Sequence, residues 1–546
     1  MNSNYVLILM ICLFISCKNN SQSRHTEATQ IGNLYFSKVD FTKTKISSEP
    51  YSKNFNLHKD DYLSIVFTLE QPLIQSLREL APDLSEQDLL SKGNFQFSFV
   101  VDENVIYTEN LNVRAGTKLL KTEELKQVIP LVAPERINWW GWYMWQRFMK
   151  INGGLDAFTE GNHTLSIEIR PYLRNETLNV GPILAKGTIA VEVPKIIIDE
   201  TLVPVQNIQP GSGWEISNAN FNHKKIEALN RKIAEGRFED INGIVVIKNG
   251  ELLIEEYFNG ATRSSLHNAR SVGKSFASTI MGIAIEDHFI KNEDALLKEF
   301  YDIESYKNYS VKKDSVTLKS LLTMSSGFLG NDWDDESPGT EDKLQSSNHW
   351  VKFTLDLPMH DSKVIGKDFT YFTAGVNLLG DIMHNSVPDG LVAYADKKLF
   401  APLGITNYKW FYTPQKVAYT GGGLELRAID FAKYGQLYKN KGQWKGQQIL
   451  TEPWVAKSLA KQVSQANAGI EDGYYGYLFW NSVYTVNGKD YEVSFCTGNG
   501  GNKILIFKDL PLVVVITASA YNKPGSHVSA DKMMVNYILP AILDEG

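Results

Sequence analysis

The dipeptide Asn249-Gly250 lies between two apolar runs in "INGIVVIKNGELLIEEYFNG". A tight two-residue connection between antiparallel strands needs positive φ at both central positions, and Asn-Gly supplies it. The stretch therefore reads as an antiparallel hairpin. Just before it, Lys224 to Ala234 places Ile226, Leu229 and Ile233 on one helical face. Near the C-terminus, Tyr491–Thr497, Lys503–Phe507 and Leu512–Thr517 read as three more strands of a meander, and Val528 to Leu543 as a closing apolar helix. Between about 271 and 480 the text is helix and loop. The expected fold class is α+β: an antiparallel sheet flanked by helices, with a helical insertion.

Upstream the periodicity changes. From 31 to 205, segments such as Leu63–Phe67, Phe95–Phe99, Leu165–Ile169 and Ile189–Val193 alternate in period two, and a helix is expected around Ser76–Leu90. This reads as a mostly β domain. It contains "INWWGWYMWQRF", with Trp139, Trp140, Trp142 and Trp145 close together. Stacking of sugars or peptides is one reading of these rings, and burial is the more general one, because aromatics mainly supply buried area. Residues 204–216, "PVQNIQPGSGWEI", carry Pro and Gly without periodicity. A linker is expected at 206–220, with a second domain over 221–546.

The N-terminus is different again. Val6 to Ile15 is apolar, too short to span a bilayer as a helix but suited to a signal-peptide core. Ser16-Cys17 and a polar stretch follow. Residues 1–17 resemble a bacterial lipoprotein signal, which implies lipidation of Cys17, a tether over 18–30, and a place in the cell envelope with the membrane as a partner. An ordinary cleaved signal is the alternative. Of the three cysteines, Cys12 and Cys17 belong to this segment, so Cys496 has no partner for an internal disulfide.

The net charge of −7, without any long run of like charge, gives no footing for nucleic acid. No His-Glu-x-x-His occurs and no two His suggest a zinc site, so no metal is expected.

"NARSVGKSF", from Asn268, poses a choice. Gly273-Lys274-Ser275 matches the end of a phosphate-binding loop, but Asn268 stands where the first Gly must be, and a hairpin precedes it rather than a parallel strand. No nucleotide is expected. Ser271-x-x-Lys274 matches a serine nucleophile motif instead. The chain has three other Ser-x-x-Lys, at Ser310, Ser458 and Ser529, but only Ser271 precedes a long helix-compatible run. A hydroxyl at a helix N-terminus lies in the positive end of the dipole, which favours a developing alkoxide. Lys274 shares its face one turn on, where apolar neighbours would let it act as a base. A helix N-cap Ser beside a solvated Lys is an equal reading of this pair alone. His267, four residues before Ser271, is read as structural.

More distant text adds partners. "GKDFTYFTAGVNLLG" supplies Tyr371, a phenol that can pass protons near a cationic Lys. "SFCTGNGGNKILIF" supplies a Gly-rich turn between strands, whose N–H groups can serve an oxyanion hole. The order is Ser-x-x-Lys, "VTLKSLLTMSSGF", Tyr371, "FAPLGI", "GGGLELRAIDFAKYG", then "GNGG". This order resembles the serine β-lactamase-related hydrolases, which include class C β-lactamases, D,D-peptidases, esterases and 6-aminohexanoate-dimer-type amide hydrolases. The resemblance covers about 220–540. It implies Ser271 as acylated nucleophile, Lys274 as its activating partner, Tyr371 as general base and acid, and Asn499 with Ser271 as oxyanion donors. Thr373, Thr497, Gly498 and Gly500 would line the substrate. Without a cofactor, such a site would cleave a small-molecule or peptide amide or ester.

Two positions depart from the pattern. Thr373 stands where Tyr-x-Asn is common, and a hydroxyl lacks the donor–acceptor pair of an amide. Cys496-Thr497-Gly498 replaces a motif that often opens with Lys or His, so the cation that would meet a substrate carboxylate is missing. Both departures argue against a dedicated β-lactamase. A rival second motif, Ser346-x-Asn348, lies in less matching surroundings. The alternative function is a catalytically weak or inactive member of the fold that binds peptidoglycan or a peptide.

Overall fold

The computed structural model describes residues 32–41, 51–135, 137 and 139–544. The signal, Cys17 and the tether lie outside the described residues. The chain forms two compact units. The first comprises residues up to 55, 60–130 and 164–190, and the second 56–59, 131–163 and 191–546.

The first unit is built on strands of a nine-stranded sheet. Leu63–Thr68, Gly93–Val101, Gly161–Arg174 and Ala185–Val193 contain the period-two segments. The helix expected around Ser76–Leu90 is two short helices, Leu73–Leu80 and Glu86–Lys92. Ser85 breaks the run: its side chain accepts from Asp88 N and caps the second helix.

In the second unit, helix α1 (His223–Ala234) leads into strands β1 (Ile241–Lys248) and β2 (Glu251–Tyr257). Asn249 and Gly250 have φ of 56° and 82°, as the tight hairpin turn requires. The Pro/Gly-rich segment is pinned beside β2: Leu252 N donates to Glu215 O and Ser217 N to Leu252 O. Helix α2 (Val272–Glu286), helix α3 (Thr373–Ser386) and helix α4 (Ala428–Lys439) follow. Strands β3 (Trp480–Val486), β4 (Lys489–Gly498), β5 (Asn502–Phe507) and β6 (Leu512–Ala518) form the meander. The sheet runs β2-β1-β6-β5-β4-β3, then two short strands, Tyr474–Tyr475 and Val463–Ser464, all antiparallel. The region between 271 and 480 also holds short strands, among them Tyr408–Trp410 and Leu424–Arg427, which form a three-stranded sheet with Leu266–Asn268 from just before it.

The central strands are buried on both faces, so they read as nearly unbroken apolar runs. Val245, Ile247, Ile504 and Val515 pack with α2 and α4; Ile244, Val246, Leu505 and Val514 pack with α1 and the C-terminal helix. In the Trp-rich segment Trp142 and Trp145 are buried and Trp139 is 42% exposed, so burial accounts for two of the four rings. No described helix is long and apolar enough to cross a membrane.

Candidate active site

Ser271 is the N-cap of α2. The residue before it, Arg270, has φ of 52°, a left-handed conformation that costs a non-glycine residue about 1–3 kcal/mol and clusters at functional sites. The turn is braced: Tyr521 donates to Asn268 O at 2.8 Å, and the Arg270 guanidinium lies 4.4 Å from the Tyr521 ring centre. Lys274, 1% exposed, returns one turn later. Its Nζ donates to Ser271 Oγ at 2.8 Å and to the carbonyl of Gly421. Two fixed acceptors hold the Lys274 amine against Ser271 Oγ.

The glycines of "TGGGLELR" make that approach possible. A Cβ on Gly422 would lie 3.1 Å from Arg270 C and 3.4 Å from Ser271 N, and one on Gly421 would lie 2.6 Å from Thr373 Cγ2. The backbone that receives Lys274 thus presses on both the turn before Ser271 and the start of α3. Gly498, at the end of β4, closes the other side. A Cβ there would lie 1.9 Å from Ala269 O and 3.0 Å from Ser271 N. The strand end therefore leaves no room for a side chain against the backbone of Ala269 and Ser271, and Asn499 is the next residue.

The Gly-rich turn is tied down by side chains. Asn502 Nδ2 donates to Asn499 O at 2.9 Å, Ala518 N to Asn502 Oδ1 at 3.0 Å, and Asn499 pairs with Asn522 through both its amide atoms. Gly500 and Gly501 have φ of 95° and 93°, open to glycine alone at little cost. Thr497 Oγ1 donates to Asn502 O at 3.2 Å and lies 3.1 Å from His527 Nδ1.

Tyr371 stands two residues before α3, 9% exposed. Its ring centre is 5.3 Å from Lys274 Nζ. Burial raises its phenol above the ordinary value; the Lys274 charge and a hydrogen bond with Ser271 oppose the rise without cancelling it. A cationic Lys beside a phenol favours its ionised form. Desolvation outweighs that pull, so the resting site holds the neutral phenol. Thr373 opens α3 with its side chain fully buried, and its N–H donates to Asp332 Oδ2 at 2.7 Å.

Ser271, Lys274, Tyr371 and Gly498 are thus brought together, with Asn499 and Gly500 in the turn that follows. The rival Ser346 and Asn348 are exposed near the end of the short helix Glu341–Gln345. Lys313 of another Ser-x-x-Lys is buried and donates to three carbonyls, of Lys307, Asn308 and Leu355, a structural lysine. His267 is buried, and desolvation pushes its imidazole down to about 4. Cys496 is fully buried in the core that α2 and α4 share with the sheet, and burial raises its thiol to about 12. It is a neutral packing residue beside Ser275.

Sequence reasoning missed Asp332, Gly421, Gly422, Trp333 and Trp480. Asp332 accepts from Thr373 N and Glu341 N, and its own N–H donates to Tyr371 O. Burial raises its carboxyl, opposed by the Thr373 bonds and the Lys274 charge. Trp333 and Trp480 flank Tyr371, with ring centres 5.4 and 5.7 Å away. The triple glycine was a visible signal, and its close-packing role emerges once α2 lies against it.

Comparison with known proteins gives the family. A family model described as Beta-lactamase matches residues 229–535, more than half of the chain. Protein flp of Staphylococcus aureus (strain NCTC 8325 / PS 47) is 24% identical over 196 residues, which are 34% of this chain and 37% of that protein. The chain thus spans little more than a third of the length of the curated relative it matches. Among solved structures, the octameric penicillin-binding protein homologue from Pyrococcus abyssi is similar with TM-score 0.45 and 20% identity, covering 59% of this chain and 77% of that one. A family VIII carboxylesterase is similar with TM-score 0.45 and 14% identity, covering 62% and 99%. Over the α+β unit that carries Ser271, Lys274, Tyr371 and the Gly-rich turn, this chain belongs to the beta-lactamase family of serine hydrolases.

Proposed function

We propose that this protein cleaves an amide or ester through an acyl-enzyme on Ser271. The observation that carries the reading is the buried Lys274 ammonium, held between Ser271 Oγ and the Gly421 carbonyl, with Tyr371 against both. Ser271 Oγ attacks the carbonyl carbon as its proton passes toward the Tyr371 oxygen, which needs that oxygen in its ionised form. Lys274 favours the ionised phenol and the developing alkoxide by its charge. The N–H groups of Ser271 and Asn499, joined by the Gly498 contact, receive the oxyanion. Tyr371 then returns the proton to the leaving oxygen or nitrogen, and water releases the acyl group by the reverse path. Cys496, expected to stand where a cation would meet a substrate carboxylate, is turned into the core instead and has no part in substrate choice.

An activity-based fluorophosphonate should label the protein at Ser271, with the adduct located by peptide mass mapping, and Ser271→Ala should abolish it. Absence of labelling in folded protein would favour a binding role instead. The apolar run ending in Ser16-Cys17 supports export with a lipid on Cys17. Cys17→Ser should release the protein from membranes or leave the signal attached. An unchanged mature mass and unchanged membrane association would remove that part of the proposal.

A further inference from the structure

Tyr371 is walled by rings that the acylation chemistry does not use. Trp333 stacks on it nearly parallel, at 8° and 5.4 Å. Trp480 lies 6.1 Å from Trp333 and 5.7 Å from Tyr371, and Phe495 extends the stack beyond Trp480 at 6.4 Å. Phe369 closes the base against Trp333, Trp480 and Tyr475. In the midst of this cluster Trp333 remains 50% exposed. An indole fixed by stacking on one side and open on the other is a preformed apolar surface, and it adjoins the group that handles the leaving atom's proton.

We infer that Trp333, backed by Trp480, is a specificity surface for a flat apolar group on the leaving-group side of the substrate. The inference rests on the reading of Ser271 and Tyr371 as the acylation pair. Because Tyr371 protonates the leaving oxygen or nitrogen, a ring attached one carbon beyond that atom falls beside Tyr371 and reaches Trp333. Flat rings gain from offset stacking beyond the area they bury, and a saturated ring of equal size does not. The loop also sets a charge preference. Asp334, Asp335 and Glu336 follow Trp333 and are all exposed, so a ring bearing a carboxylate meets like charge. The favoured substrates are benzyl-type esters or amides that carry no anion on the ring.

The test compares kcat/KM for benzyl acetate and cyclohexylmethyl acetate, two esters with alkoxide leaving groups of similar size. Wild type should prefer the benzyl ester by roughly tenfold, the scale of one stacked pair. Trp333→Ala should bring the ratio near one, and Trp333→Phe should keep most of it. 4-Carboxybenzyl acetate should be disfavoured, and that penalty should shrink in the triple variant Asp334→Asn, Asp335→Asn, Glu336→Gln. Fluorophosphonate labelling of Ser271 is measured on every variant, so that each ratio is read at a site that still acylates. A ratio unmoved by Trp333→Ala while labelling persists overturns the inference and leaves the acyl-enzyme reading standing. A preference that moves only between ethyl phenylacetate and ethyl cyclohexylacetate also overturns it, because it puts the ring on the acyl side. Loss of Ser271 labelling in wild type removes both.

Discussion

Gly498→Ala should disable the site without touching a reacting side chain. The added methyl would lie 1.9 Å from Ala269 O, whereas carbon and oxygen in ordinary contact stand roughly 3.3 Å apart. The end of β4 and the turn before Ser271 must therefore separate by about 1.4 Å, a step on the scale at which misplacement costs on the order of 10² in rate. The separation acts on the pair of N–H groups assigned to the oxyanion, and losing one such donor costs about 10²–10³. Together these place acylation at about 10²–10³ below wild type. Both sides of the clash are backbone, so rotamer changes cannot relieve it, and overpacking adds roughly 1–3 kcal/mol of destabilisation. The assay is the rate of fluorophosphonate labelling at Ser271 by mass spectrometry, paired with thermal melting. Gly236→Ala is the control: φ there is 72° and nothing lies within 4 Å of the added methyl, so it carries backbone strain alone. It should lower the melting temperature and leave labelling intact. Near-normal labelling by folded Gly498→Ala would refute the claim that this contact builds the oxyanion site.

Other outcomes follow from the same geometry. Tyr371 is raised by burial, so its ionised, base-competent form grows as pH rises through the neutral range. Log kcat/KM for an activated ester should climb with slope near one from about pH 6 to 9; a plateau beginning near pH 7 would remove the raised phenol as base, and Tyr371→Phe should flatten the profile. Lys274→Ala should lower acylation by roughly 10², yet add almost nothing to Ser271→Ala, because groups that act as a unit do not lose activity additively; additive losses measured by single-turnover acylation would contradict a shared relay. Lys274→Arg should fail too, since a guanidinium fork cannot replace a point donor between Ser271 Oγ and Gly421 O. Cys496→Lys should not create a carboxylate site. It would bury an unpaired cation in the core at a cost of about 3 kcal/mol or more, read as a lowered melting temperature, and a well-folded variant with new β-lactam turnover would contradict this.

The fold of the second unit was legible because its signals are local. Asn249-Gly250 sets a turn by the φ values it tolerates, and β1, β5 and β6 are buried on both faces, so they read as continuous apolar runs. The first unit's strands were legible by alternation, but the fold of 76–90 into one helix or two depended on a single cap at Ser85. In the site, Ser271 and Lys274 are three residues apart, so helix geometry alone joins them. Tyr371 and the Gly-rich turn were found by order along the chain, which says that they recur together and nothing about distance.

What stayed hidden was decided by burial. Cys496 and Thr497 are adjacent, yet strand alternation sends the first into the core and leaves the second beside His527. Reading Cys496 as a cation's replacement assumed that its side chain faces the substrate. A thiol that burial raises to about 12 neither pairs with nor repels a carboxylate, so any discrimination against anions must come from elsewhere. Asp334, Asp335 and Glu336 supply it from a loop that the sequence left unread. The direction of the Tyr371 shift stayed hidden for the same reason. Lys274 lies beside it, but the sign of a shift depends on whether charge or desolvation is larger, and the rings packed on Tyr371, Trp333 and Trp480, arrive from distant parts of the chain. The same rings that hold Tyr371 neutral at rest give the site its apolar wall. A bound substrate ring would bury Tyr371 further and oppose its ionisation, so the groups that ionise it must act more strongly in the complex than in the free site. Lys274 is held there by two fixed bonds, and that makes its position, between Ser271 and Gly421, the feature on which the proposed catalysis turns.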